Sequence, residues 1–208
     1  MRPENMTDGQ KGSFIEEARR RQIIASAVEV IAETGYAGAT LARIAKHAGI
    51  SKGVISYHFD GKDDLMTQLV VQLFVSGAEY MGPLIAQAEG SRNQLMVYIQ
   101  SNLDFIATNK KYVAALNNVV LNLRVPDGRL KFVAESDEAA IIGPLIDMLE
   151  RGQKDGSFGD FDARIMAMLI RDAVDGIAHR VSRDLGFDIS LYTEQMKRVF
   201  DFATRREA

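Results

Sequence analysis

Apolar residues recur at helical spacing along almost the whole chain. Between Phe14 and Thr34, Ile24, Ala27, Val28 and Ile31 fall on one helical face, and Gly35 supplies a stop. Leu41, Ile44, Ala45 and Ala48 repeat the pattern, with Thr40 placed as N-cap and Gly49 as the left-handed residue after the last turn. Ile50 leads to Ser51, a second N-cap, and a third helix runs through Phe59 until Asp60-Gly61 breaks it. Two short helices joined by a Gly-containing turn predict a helix-turn-helix.

Lys62-Asp63-Asp64 opens a long apolar helix to about Ala88, its first-turn acids suiting the positive end of the helix dipole, and Gly82-Pro83 predicts a kink or break. Helical patterns follow over about Arg92 to Thr108, Lys110 to Leu123, Ser136 to Lys154, Asp162 to Leu185 and Ser190 to Thr204. Pro126-Asp127-Gly128 and Asp155-Gly156-Ser157 punctuate them as turns. With no alternating strand pattern and no repeat of fixed period, the expected class is all-α, with about nine helices. Residues 1–13 lack periodicity and read as a disordered arm, residues 14–61 as a helix-turn-helix domain, and residues 62–208 as a larger helical domain.

Composition narrows the chemistry. The chain has no Cys, which excludes disulfides and thiolate metal sites, and no Trp. It also lacks a G-x-S-x-G turn, a phosphate-cradling glycine loop and a His pair at metal-ligand spacing, so neither an enzyme nor a cofactor is expected. No apolar run approaching 20 residues and no signal segment is evident, so a cytoplasmic protein that does not enter the membrane is expected. The net charge is −3, but residues 1–65 carry nine Lys/Arg against nine Asp/Glu, so the acidic excess lies in the remainder.

The third helix explains itself poorly as a packing element. At 100° per residue Ile55 and Phe59 share one side, whereas Gly53 and Tyr57 stack on the other. Gly53 costs up to about 1 kcal/mol of helix stability relative to alanine, which suits a backbone that must come close to something. Ser51, Lys52, Ser56, Tyr57 and His58 are hydrogen-bond donors around Val54, and Thr40 and Lys62 stand at the starts of the flanking helices, where backbone N–H groups face anions. These nine positions are the candidate DNA-binding residues.

The segment AGATLARIAKHAGISKGVISYHFDGKDDL, Ala37 to Leu65, resembles the TetR/AcrR family of one-component transcriptional regulators. The resemblance is specific over roughly residues 14 to 70 and beyond that rests on length and helical pattern. It implies a homodimer placing one recognition helix per subunit in successive major grooves of double-stranded DNA. In that arrangement Thr40, Lys52, Tyr57 and Lys62 contact phosphates, Gly53 permits close approach and Ser51 caps the helix. Recognition helices one turn of B-DNA apart, about 34–36 Å, imply a near-palindromic operator. One departure from the family is Ser56, where many members carry an aromatic residue.

The larger domain is rich in flexible Met and in Tyr, materials of an adaptable cavity. Phe74, Tyr98, Phe105, Tyr112, Leu116, Asn117, Met148, Met166, Asp175 and His179 are its candidate ligand-binding residues. Asn117 and Asn118 interrupt the apolar run AALNNVVLNL, and a buried amide there needs a partner, either a backbone group or a ligand. Asp172, Asp175 and His179 lie at i, i+3 and i+7, where a solvated salt-bridge stripe is the plainer reading and a ligand contact the sharper one. The last two helices form an expected hairpin turning at Gly186-Phe187-Asp188, with Ile165, Leu169, Ala173 and Ile177 facing Tyr192, Met196, Val199 and Phe200. The resemblance places this hairpin in a dimeric four-helix bundle. The expected function is a ligand-responsive regulator, a repressor released by a small, mostly apolar effector. The alternative is a helical dimeric ligand- or protein-binding module that has lost sequence-specific DNA binding.

Overall fold

The computed structural model describes residues 8–134 and 138–206, and ten helices span them. They are α1 (Asp8–Gly38), α2 (Leu41–Ala48), α3 (Lys52–His58), α4 (Gly61–Gln87), α5 (Ser91–Thr108), α6 (Lys110–Asn122), α7 (Lys131–Ala134), α8 (Glu138–Lys154), α9 (Ala163–Arg183) and α10 (Ser190–Ala203). The all-α expectation holds among the described residues, where the sole β feature is an isolated antiparallel bridge between Arg124 and Leu130.

Several boundaries differ from the sequence reading. Residues 8–13, assigned to a disordered arm, are the first turns of α1, while residues 1–7 lie outside the described residues. The stop at Gly35 is a sharp kink rather than an end: its φ of 68° and ψ of 173° interrupt the helix, and the Ala39 amide still donates to the Gly35 carbonyl across one further turn. The tenth helix is the single turn α7, too short to show a period. Ser136, the expected start of α8, lies outside the described residues.

Of the kink or break expected at Gly82-Pro83, the break does not occur, and α4 runs through Pro83 to Gln87. Proline removes the bond to the carbonyl four residues back, but Glu79 and Pro83 are both exposed, where the loss of that bond is least costly, and the helix continues. A second correction also concerns α4. It is long and apolar enough by length and composition to cross a bilayer, with mean hydropathy 1.4 over its apolar window. Leu65, Met66, Leu69, Val70, Leu73 and Gly77 are nevertheless buried against the helices around it.

Two apolar clusters organise the chain. The first joins α1, α2 and α3 through Ile23, Ile31, Ile44, Ile55 and Phe59, and it also takes Leu65, Met66, Leu69 and Val70 from α4 and Ala115, Val119 and Leu123 from α6 and its end. The second fills the space between α5, α8, α9 and α10, with Leu95, Ile99, Leu103, Leu149 and Ile170 fully buried. Helices α4 and α6 therefore serve both cores, one with successive turns and the other with opposite faces. Polar clamps stand at the two ends of α5: past its end Lys110 Nζ donates to the Leu185 and Phe187 carbonyls, and at its start Arg92, with Arg205, donates to Asp201.

Candidate nucleic-acid interface and effector cavity

The helix-turn-helix is built by its caps. Thr40 Oγ1 accepts from the Arg43 amide at 3.3 Å, and Gly49 sits in the left-handed region at φ 68°, ψ 30°, returning its amide to Lys46 and Ala45. Ser51 Oγ accepts from the Val54 amide at 3.4 Å and starts α3 two residues later. Ile55 and Phe59 are buried, and Tyr57 projects into solvent with 74% of its surface exposed. The face containing Gly53 and Tyr57 is thus outward, as the helical phase required.

Gly53 is not a packing glycine. A Cβ built on it would meet only Ser51 Oγ, at 3.6 Å, an ordinary contact. Nothing among the described residues requires glycine here.

The remaining candidates divide. Lys52 and Ser56 are exposed, and Val54 and His58 are partly covered. The His58 ring stands edge-on to Tyr57, with centroids 4.9 Å apart, and its carbonyl accepts from Arg20, whose guanidinium also lies over the Phe59 ring. Lys62, expected to reach outward, instead donates to the Tyr36 carbonyl at 2.6 Å and lies 4.2 Å from that ring's centre. Burial holds the Lys62 ammonium below its ordinary pKa, against the opposing pull of Asp63, and burial likewise raises Tyr36. Its reach is shortened because the turn at Gly35 delivers a carbonyl to it.

Two residues of this surface were not singled out in the sequence. Glu16 accepts from Tyr57 Oη at 3.2 Å, and Arg20 braces the end of α3. The run Arg19-Arg20-Arg21 was the available signal for the second; nothing local signals the first.

A second concave feature lies between α4, α5, α6, α8 and α9, with a volume of about 420 Å³. That falls within the roughly 300–1,000 Å³ usual for small-molecule sites. Of the ten ligand candidates, Phe74, Phe105, Leu116, Asn117, Asp175 and His179 line it. Four do not. Met148 is buried in the second core and Met166 packs against it. Tyr112 bridges both cores and donates to the Leu69 carbonyl at 3.3 Å, with burial pushing its hydroxyl well above the ordinary value. Tyr98 packs against the second core and interacts with the Arg171 guanidinium. Their helices turn them toward neighbouring helices, which helical period alone did not fix.

Unanticipated lining residues are Met81, Asn102, Ile141, Met168 and Arg171. Arg171 pairs with Asp175 through two nitrogens, Nε at 3.0 Å. Burial opposes the Arg171 charge, but Asp175 and Tyr98 together outweigh it and hold the guanidinium above its ordinary pKa. This i, i+4 pair was a legible signal. No cluster of three metal-ligating side chains occurs among the described residues.

The profile of the bacterial regulatory proteins of the tetR family matches residues 23–69, which span α2, α3 and the parts of α1 and α4 that share their core. Residues 23–69 thus match the TetR family. A curated relative, the HTH-type transcriptional regulator BetI 1 of Chromohalobacter salexigens, is 40% identical over 93 residues, 44% of this chain and 46% of that protein. The chain thus spans less than half the length of this curated relative. Among solved structures, the fatty acid degradation regulator FadR from Bacillus halodurans superposes with a TM-score of 0.76 at 23% identity, covering 91% of this chain and 97% of its own. FadR from Bacillus subtilis, solved in complex with stearoyl-CoA, gives 0.70 at 23% identity, covering 86% and 96%. At this identity both show the fold alone.

Proposed function

We propose that this chain is a ligand-responsive transcriptional regulator of the TetR family, a repressor that binds a near-palindromic operator as a homodimer in the cytoplasm and is released by a small, mostly apolar effector. The observation that carries the DNA reading is the open space over Gly53 beside exposed Tyr57 on a helix anchored by Ile55 and Phe59. A glycine with no internal reason suits a phosphodiester backbone approaching the helix. Lys52, Ser56 and Tyr57 are the contacts favoured by their exposure, with Thr40 and Ser51 orienting the two helices and Val54 and His58 at the edge.

Support for the dimer comes from α9 and α10. Ile165, Leu169, Val199 and Phe202 are exposed, while Ile177 and Phe200 are buried in the core shared with α5 and α8; α10 packs mainly on α5 rather than on α9, and both helices carry a second apolar face outside that core. Palindrome reading requires two-fold symmetry. Support for the effector comes from the cavity and from the similarly folded FadR of Bacillus subtilis, solved in complex with stearoyl-CoA.

The same helices supply a route between sites. Leu116, Asn117 and Val120 of α6 border the cavity, while Ala115 and Val119 pack into the helix-turn-helix core. Helix α4 does likewise, with Leu73 and Phe74 at the cavity and Leu65 to Val70 in that core. A ligand that fits only one placing of α4 and α6 biases the placing of α3 through them.

The test is fluorescence anisotropy of the full chain with duplexes selected from random sequence, in excess competitor and at two salt concentrations. Competitor-resistant binding of a palindrome, lost in Tyr57→Ala without loss of helix content, supports the reading. Failure to enrich any sequence overturns it.

A further inference from the structure

The polar lining of the cavity is one-sided. Asn102 and Asn117, each more than nine-tenths buried, both border it. The Asn102 amide nitrogen donates to the Tyr98 carbonyl at 2.8 Å. The Asn117 nitrogen donates to the Ala178 carbonyl and to Ser182 Oγ, whose own proton goes to Ala178. Each nitrogen is therefore engaged, and each carboxamide oxygen is left without a donor among the described residues. No side-chain oxygen sealed from solvent lacks a partner among the described residues, so these two keep solvent access, and the cavity is the concave space that both residues line.

The charges add to the same imbalance. Arg171 is the one permanent cation on the wall, and Asp175 already pairs with it. Asp172, on the same rim, has no ion-pair partner among the described residues. Around these acceptors stand the rings of Phe74 and Phe105 and the sulfur of Met81, surfaces that attract a positive head as readily as they cover an apolar body.

We propose that the effector is an amphipathic cation: an apolar chain or ring system carrying a protonated amine that donates to the cavity's amide oxygens and to Asp172. The assignment rests on the reading of this cavity as the effector site. An anionic head of the same length would face Asp172 and two lone-pair-bearing oxygens, and could reach Arg171 only by displacing Asp175.

Calorimetry on the full chain without DNA tests this, using decylamine, decanoate and decanol below their aggregation concentrations. Decylamine is expected to bind more tightly than decanoate by about tenfold or more, the value of one charge-assisted contact. Asp172→Asn, a change at an exposed rim position, is expected to remove most of that preference. Equal or tighter binding of decanoate, an undiminished preference in Asp172→Asn, or no binding of any of the three overturns the assignment. Operator binding is read separately. A chain that retains its selected duplex but prefers decanoate loses only the cation, and one that takes decylamine but enriches no duplex loses only the regulator reading.

Discussion

The hydroxyl of Tyr57 donates to the carboxylate of Glu16 at 3.2 Å, so the exposed aromatic of α3 is held by an acid from the first helix, 41 residues earlier. On a surface read as a phosphate contact, that acid competes with the anion it neighbours. Glu16→Gln is expected to tighten operator binding by roughly threefold, since two unit charges about 6 Å apart in water interact by about 0.7 kcal/mol. Anisotropy titrations of the two proteins check this, and a weaker complex would mean that Glu16 positions Tyr57 productively.

Gly53→Ala separates stability from binding. Its new Cβ meets only Ser51 Oγ at 3.6 Å, so the helix gains propensity without strain, and stability is expected to be unchanged or to rise by up to about 1 kcal/mol. Operator affinity is expected to fall at least about tenfold, as a methyl group intrudes where the backbone of DNA approaches. Urea denaturation alongside anisotropy reads both; unaltered affinity removes the close-approach role.

Asn117 and Asn118 are adjacent amides with different duties. Asn117 ties α6 to α9 through Ala178 and Ser182, whereas Asn118 bonds only the Ala114 carbonyl of its own helix. Asn117→Ala is expected to cost about 1–3 kcal/mol and Asn118→Ala under about 0.5 kcal/mol, measured as shifts in urea midpoint.

Asp201 makes part of the stability pH-dependent. The Arg205 hydrogen bond, with Arg92 adding to it, holds its carboxyl below the ordinary value. Because the folded pKa is lower than the unfolded one, the contribution is full above the unfolded value near 3.9 and is lost as pH falls through the folded value. Asp201→Asn is expected to lower stability at pH 7 by no more than about 1 kcal/mol, because solvent screens the network. The difference should close below about pH 4, which thermal melts across that range would show.

The second apolar face of α9 and α10 makes a quantitative claim about assembly. Replacing Leu169 or Phe202 by Glu is expected to weaken self-association by at least about tenfold each, the value of losing one buried large side chain. Sedimentation velocity reads it, and a wild-type chain that is monomeric at micromolar concentration would refute the dimer.

The helix-turn-helix was almost wholly legible in the sequence, because its information is local. Thr40, Gly49 and Ser51 mark caps that form within four residues of themselves, and the phase of Ile55 and Phe59 necessarily turns Gly53 and Tyr57 the other way. What the tertiary structure alone decided depends on which neighbour each helix meets. Helical period identified the apolar residues of α9 but could not divide Ile165 and Leu169, left exposed, from Ile170 and Val174, fully buried. It marked Met148 and Met166 as plausible pocket residues, though the packing of α8 and α9 places them in or against a core. Nor could local pattern foresee that Lys62 would reach Tyr36, or that two carboxamides, 15 residues apart on α5 and α6, would line one cavity. Caps and turns are fixed by bonds of short sequence separation; the sidedness of a pocket is fixed by how separate helices pack, which a single chain's periodicity does not encode.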